Sequence, residues 1–274
     1  MSGALDFALS TARQAGQLLC EYYPQRHIVR RKSSDIDVVT EADVASERLI
    51  VDAIRAQFPD HKILSEEGLG DLQAVVGETP CLWLVDPLDG TVNYAHGYPF
   101  WGVSLALAER GQVVMGVTYD PLRDEIFWAE RGQGAWRDGE RMRVSAITEP
   151  REALVATGFA YKRATLADNN LAEFGTVMPH VQGVRRAGAA VLDLAHLADG
   201  RLDGYWEMHL SPWDWAAGWL LVEESGGLVT DMRGEPWSLG REEIAASNGA
   251  LHGELLALLK RARQEMVRLG RASS

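Results

Sequence analysis

Residues 82–94 read Leu-Trp-Leu-Val-Asp-Pro-Leu-Asp-Gly-Thr-Val-Asn-Tyr, an apolar run that breaks into Asp86 and Asp89 and is followed at once by Gly90 and Thr91. Two more acidic points, Glu66-Glu67 and Asp214, also stand where apolar segments stop. Such ends are where sheets carry ligands. Carboxylates gathered there would repel one another and raise their own pKa values unless a hard cation compensated them. Mg²⁺ suits the set, because it takes oxygen ligands and needs neither His nor Cys. The seven histidines show no HxH or HExxH spacing, which disfavours a zinc hydrolase. If a helical turn begins at Gly90 and Thr91, its free N–H groups can hold a phosphate, with the helix dipole adding to the attraction. Metal ions beside an amide cradle imply phosphoryl chemistry.

Each acidic motif also has a plain structural use. Glu66-Glu67 reads as a solvated turn, and Asp86–Gly90 has the composition of a tight turn. Ser211-Pro212-Trp213-Asp214 reads as a helix start, with Ser as N-cap, Pro at the first position and Asp completing a capping box.

The elements that must position these residues are legible in the periodicity. Leu5, Ala8, Leu9, Ala12 and Leu19 follow helical spacing. Thr40-Glu41-Ala42-Asp43 is a capping box, and Val44, Leu49, Ile50, Ile54 and Phe58 trace one face of a second helix. Ile63 and Leu64 form a short strand entering Ser65-Glu66-Glu67-Gly68. Strand-like runs at 101–108, 112–119, 125–129 and 142–145 are separated by Arg110-Gly111, Asp120-Pro121 and Asp138-Gly139, which predicts an antiparallel meander. Beyond residue 150, runs at 154–157, 202–206, 228–230 and 244–246 read as strands. Helical patterns fall near 189–198, 213–225 and 251–268. The result is a layered α and β architecture with two sheets.

The chain has 274 residues, 46% of them hydrophobic, enough for a substantial core. A net charge of −12 argues against a nucleic-acid surface and against anionic lipid. No apolar run reaches membrane-spanning length. The N-terminal stretch reads as an amphipathic helix rather than a signal peptide. Two cysteines, Cys20 and Cys81, fit a reducing cytoplasm and read as buried free thiols. No linker, repeat or low-complexity segment appears, so the expectation is one domain over 1–274, with an N-terminal part to about 150 packed intimately on a C-terminal part.

In several separated motifs the chain resembles the inositol monophosphatase family, the lithium-sensitive, magnesium-dependent phosphatases that include fructose 1,6-bisphosphatases. The motifs run from Lys32-Ser33-Ser34 and Asp37 through Thr40–Asp43, Glu66-Glu67, DPLDGTVNYAHGYPF, RRAGAA and LDGYWE to SPWDWAAG. The resemblance implies an αβαβα sandwich, a homodimer and Mg²⁺ as cofactor. It implies that Glu66, Asp86 and the Leu88 carbonyl hold one Mg²⁺, that Asp86, Asp89 and Asp214 hold a second, and that a third leans on Glu66. Glu66, Leu88, Asp89 and the N–H groups of Gly90 and Thr91 would line the phosphate. Glu66 and Thr91, supported by Asp43, would orient the attacking water and receive its proton. Asp89, the Gly188-Ala189-Ala190 backbone, Glu207 and Asp214 would contact the alcohol half. Lys32 would either screen the phosphate approach or stand as a solvated loop Lys.

Two departures stand out. Ala189 occupies a position where many relatives carry Ser or Thr, which removes a hydroxyl contact but leaves the backbone. Trp215 follows Asp214 where Val or Ile is frequent, in a region already holding Trp206, Trp213 and Trp219.

One rival is a haloacid dehalogenase type phosphatase, whose strand-end acids also precede Gly and Thr. Here the two acids are spaced i and i+3 with Pro between them, and the acid two residues on is missing. The other rival is a scaffold of this fold that binds a macromolecule, with or without catalysis. Among small phosphorylated substrates, inositol monophosphate ranks ahead of histidinol phosphate, fructose 1,6-bisphosphate and 3′-phosphoadenosine 5′-phosphate. Glu207 is a natural acceptor for sugar hydroxyls and a poor neighbour for a second phosphate.

Overall fold

The apolar run before Asp86 alternates between two cores. In the computed structural model, which describes residues 2–23, 28–31, 38–68 and 79–268, Trp83 and Val85 face one hydrophobic cluster while Leu82 and Leu84 face another. A strand buried on both faces has no polar alternation, so Cys81–Asp89 (β4) reads as continuous apolar sequence.

This strand lies second in a seven-stranded sheet. Lys62–Ser65 (β3) pairs with it in parallel. On its other side follow Gly102–Glu109 (β5), Gln112–Asp120 (β6), Glu125–Glu130 (β7), Gly134–Arg137 (β8) and Glu140–Arg141 (β9), all antiparallel. The predicted meander is present. The strand expected at 142–145 does not form: the Met142 N–H bonds to Ala135 and the Val144 N–H to Ser225, so no ladder develops. A two-stranded sheet joins Ile28–Arg31 (β1) to Val38–Thr40 (β2).

Ser2–Tyr22 (α1) and Glu41–Gln57 (α2) cover one face of the large sheet, placing Leu5, Ala8, Ala12, Ala15, Leu19, Ile50 and Ile54 in the core. Asp43 accepts the Thr40 N–H at 2.8 Å, so the capping box forms as expected. A short helix, Thr91–His96 (α3), follows β4 directly.

The second sheet runs β11-β10-β12-β14-β13 in space. Its strands are Leu154–Thr157 (β10), Gly183–Arg185 (β11), Gly204–Met208 (β12), Leu228–Thr230 (β13) and Glu243–Ser247 (β14). Ala190–Ala198 (α5) and Pro212–Glu224 (α6) fill the space between the two sheets. Residues 215–222 of α6 are all buried, because a helix between two sheets has no wet face. Gly116 allows α6 to approach β6: a Cβ there would lie 2.8 Å from the Ala217 Cα. Leu171–Val177 (α4) and His252–Arg268 (α7) cover the outer face of the second sheet. The layers are therefore α, β, α, β, α. Neither α4, interrupted by Gly175, nor the three-residue β11 had a clear period in the sequence. Cys20 and Cys81 are free but only half-buried, not fully buried as expected.

Candidate active site

The three residues from Asp86 to Asp89 would ordinarily project the two carboxylates to opposite faces of β4. Asp86 pairs with Ser104 and Asp89 with Gly102, so β4 spends one extra residue where β5 spends none. This bulge at Pro87-Leu88 returns both acids to one face. It is held from α2, whose buried Ser46 donates to the Pro87 carbonyl at 2.8 Å. In the parallel pairing of β3 with β4, Ser65 stands beside Val85, which places Glu66 next to Asp86. The Glu66 N–H reaches the Val85 carbonyl at 3.3 Å.

Gly90 follows with φ 87°, a conformation only glycine adopts without strain, and starts α3. A Cβ there would lie 3.0 Å from the Phe100 carbonyl. Its N–H is turned toward the Asp89 carboxylate. Thr91, 4% exposed, places its hydroxyl 3.0 Å from Asp43 Oδ1 and 3.1 Å from the Leu88 carbonyl.

The second sheet closes the site from across α5. Ala189 is the N-cap of α5 and has no side chain to cap it. Asp89 Oδ2 takes that role, accepting the Val191 N–H at 2.8 Å. Asn93 donates to the carbonyls of Phe100 at 2.7 Å and Ala187 at 2.8 Å, tying α3 to the Gly188-Ala189-Ala190 turn. Asp214 sits in the first turn of α6 and accepts the Ser211 N–H at 2.7 Å, so its helix-start role is also real. Glu207 projects from β12, its carboxyl held by the Tyr205 hydroxyl.

The electrostatics show which of these groups share a space. Burial raises Asp86 well above the usual carboxylate range, and the charges of Glu66, Asp89 and Asp214 push it further. Burial also raises Asp214, with Asp89 and Glu66 adding. Asp89 is pushed up to about 7, mainly by burial, against the pull of the Val191 N–H. Glu207 also rises to about 7 through burial, countered by Tyr205 and Arg186. Glu66, Asp86, Asp89 and Asp214 thus form one cluster of oxygen donors, a set that fits a hard divalent cation such as Mg²⁺.

Sequence reasoning missed Asp193. It is 3% exposed on α5, raised by burial and by Glu207 and Asp89. Its place inside an apolar helical run was the available signal. Lys32, together with Ser33, Ser34 and Asp37, lies outside the described residues.

A second group, Asp120, Glu125 and His196, has three ligand atoms within 4.8 Å of one another, close enough to share a metal ion. Arg123 pairs with Asp120 at 2.6 Å, and Arg201 donates to Glu125 from two guanidinium nitrogens. That group is therefore already balanced by cations.

This fold, with acids clustered around the end of β4 and the starts of α3 and α6, defines a class of phosphatase-like α/β sandwiches. The chain belongs to the inositol monophosphatase family, whose model matches residues 2–265. It is 41% identical over 263 residues to a Nus factor SuhB of Pseudomonas aeruginosa, covering 95% of this chain and 97% of that one. It is 41% identical over 251 residues to an inositol-1-monophosphatase of Synechocystis, covering 92% and 86%. Among solved structures, the inositol monophosphatase of Anabaena (Nostoc) superposes with a TM-score of 0.84 at 43% identity, covering 95% of this chain and 96% of that one. No helix among the described residues is long and apolar enough to cross a membrane.

Proposed function

We propose that this chain is a Mg²⁺-dependent phosphomonoesterase that hydrolyses inositol monophosphate to myo-inositol and phosphate by direct attack of water. The observation that carries the reading is the single electrostatic cluster of Glu66, Asp86, Asp89 and Asp214 beside the Thr91–Asp43 hydrogen bond. Family membership and the inositol monophosphatase neighbours support a phosphatase.

In this reading Glu66, Asp86 and the Leu88 carbonyl hold one ion, and Asp86, Asp89 and Asp214 hold another. When bound, the ions neutralise phosphate charge and acidify a water. Asp43 fixes the Thr91 hydroxyl, which would orient that water, and Glu66 would take its proton. Glu207 and the Gly188-Ala189-Ala190 backbone face the alcohol half. A second phosphate near Glu207 would meet Asp193 as well, two buried acids that favour a neutral polyol.

The test is turnover by the purified protein, with Mg²⁺ and after exhaustive chelation, of inositol 1-phosphate, histidinol phosphate, fructose 1,6-bisphosphate and 3′-phosphoadenosine 5′-phosphate. The expected result is metal-dependent release from inositol 1-phosphate first. Full activity after chelation, or preference for a bisphosphate, would overturn it. A homodimer belongs to the same proposal and is read by light scattering.

The relatives named Nus factor SuhB favour a second reading, a protein-binding role alongside catalysis. Complementation by a folded but inactive Asp89→Asn chain separates the two roles.

A further inference from the structure

The carboxyl of Glu207 rests directly over Gly158. A methyl group built on Gly158 would overlap the Glu207 Cδ and both carboxylate oxygens. The backbone at Gly158 is not in the left-handed region, so its conformation does not require glycine. What glycine supplies there is room.

The backbone at Gly158 is not free to slide away. The Gly158 carbonyl accepts Asn170 Nδ2 at 2.6 Å, and the same amide nitrogen reaches Thr157 Oγ1 at 2.8 Å. Asn170 is itself fixed, its Oδ1 receiving the Trp206 indole N–H at 2.7 Å. Thr157 closes the loop by donating to the Trp206 carbonyl at 2.6 Å. On the other side, Tyr205 and Glu207 share one face of β12, and the fully buried Tyr205 holds the carboxyl through its hydroxyl. The flexible end of Glu207 is therefore what must yield if a side chain is added at 158.

We infer that Gly158 is a specificity-determining position: its missing side chain, with the Tyr205 hydroxyl, seats the Glu207 carboxyl where it accepts hydrogen bonds from the hydroxyls of a polyol phosphate. This rests on the function proposed above and concerns only the alcohol half. The phosphate and metal groups lie at the end of β3, on β4 and at the starts of α3 and α6, whereas the three atoms nearest a Cβ at Gly158 all belong to Glu207.

The experiment compares wild type, Gly158→Ala and Tyr205→Phe, each with Mg²⁺, on inositol 1-phosphate and on 4-nitrophenyl phosphate, whose leaving group offers no hydroxyl array. Both variants are expected to lose about tenfold or more in kcat/KM for inositol 1-phosphate, chiefly through KM, since a site built to bond hydroxyls discriminates strongly when that bond is lost. The aryl phosphate should stay within about twofold. Adding Glu207→Asp to Gly158→Ala should recover part of the loss, because the shorter side chain withdraws from the added methyl. Equal losses on both substrates, or no loss on either, overturn the inference. If Gly158→Ala does not fold, Tyr205→Phe and its substrate split decide. A wild type that cleaves the aryl phosphate and not inositol 1-phosphate overturns the proposed substrate and this inference together. An active wild type with non-discriminating variants overturns the inference alone.

Discussion

Thr91 Oγ1 lies 3.0 Å from Oδ1 of Asp43, a hydrogen bond that joins the start of α3 to the start of α2 across 48 residues. The other oxygen of Asp43 is occupied by the Thr40 N–H. One carboxylate therefore both caps a helix and orients a hydroxyl, so the cap geometry fixes where that hydroxyl points.

Thr91→Val, which keeps the shape and removes the hydroxyl, is expected to lower kcat by roughly 10²–10⁴ with little change in KM, the range for a positioned proton-transfer group. Steady-state kinetics at saturating Mg²⁺ checks it. A proportional rise in KM with kcat intact would assign Thr91 to ground-state binding instead.

Asp86→Asn, Asp89→Asn and Asp214→Asn should each reduce activity by several orders of magnitude. The metal-free proteins should melt no lower than wild type, because each change removes a charge from a repelling cluster. Thermal melts in chelator beside activity in Mg²⁺ test both halves. An Asp214→Asn protein that melts lower and keeps most activity would reduce Asp214 to its helix-start role.

The pH dependence follows from the same shifts. Asp89 and Glu207 titrate near 7 in the folded chain, against 3.8 and 4.5 unfolded. The folded state then binds more protons, so these groups make metal-free stability fall as pH rises from about 4 to 7. His196 works in the opposite direction. Burial lowers it from 6.5 to about 4, so its stability contribution is complete above 6.5 and lost as pH falls toward 4. Among the described residues Asp86, Glu173, Asp193 and Asp214 share the direction of Asp89, whereas His252 and, in the acid range, Glu125 join His196, so the raised carboxyls outnumber the groups that oppose them. In chelator the melting temperature should be higher at pH 5 than at pH 8, and saturating Mg²⁺ should reverse the order. A metal-free melt that rises over this window would contradict the cluster.

Gly90→Ala meets two obstacles, a φ of 87° and the Phe100 carbonyl 3.0 Å from the new Cβ. The conformational part alone costs about 1–2 kcal/mol, and the melting temperature should drop accordingly. Activity should fall further than stability, since Gly90 begins the turn that carries Thr91.

The sequence was informative where local rules operate. The capping boxes at Thr40 and Ser211, the helical stripe of α1 and the meander all depend on neighbours a few residues apart. The bulge at Pro87-Leu88 was not legible, because only the register against β5 shows that Asp86 and Asp89 share a face. Gly158 and Asp193 were missed for a related reason: each matters through Glu207, about 49 and 14 residues away in the chain. The tryptophans of α6 serve packing, with Trp215, Trp219 and Trp237 in mutual ring contact.

Asp89 and Val191 meet across 102 residues, and Asn93 and Ala187 across 94. Contacts of such span carry a large loop-closure cost, which favours their forming after the two sheets have docked. The site is then expected to be completed late on the folding pathway. A ligand seated there stabilises contacts absent from an early transition state, so it slows unfolding and leaves refolding speed nearly unchanged. Magnesium would then act as a brake on opening of the chain, lengthening the lifetime of the native state without hastening its arrival.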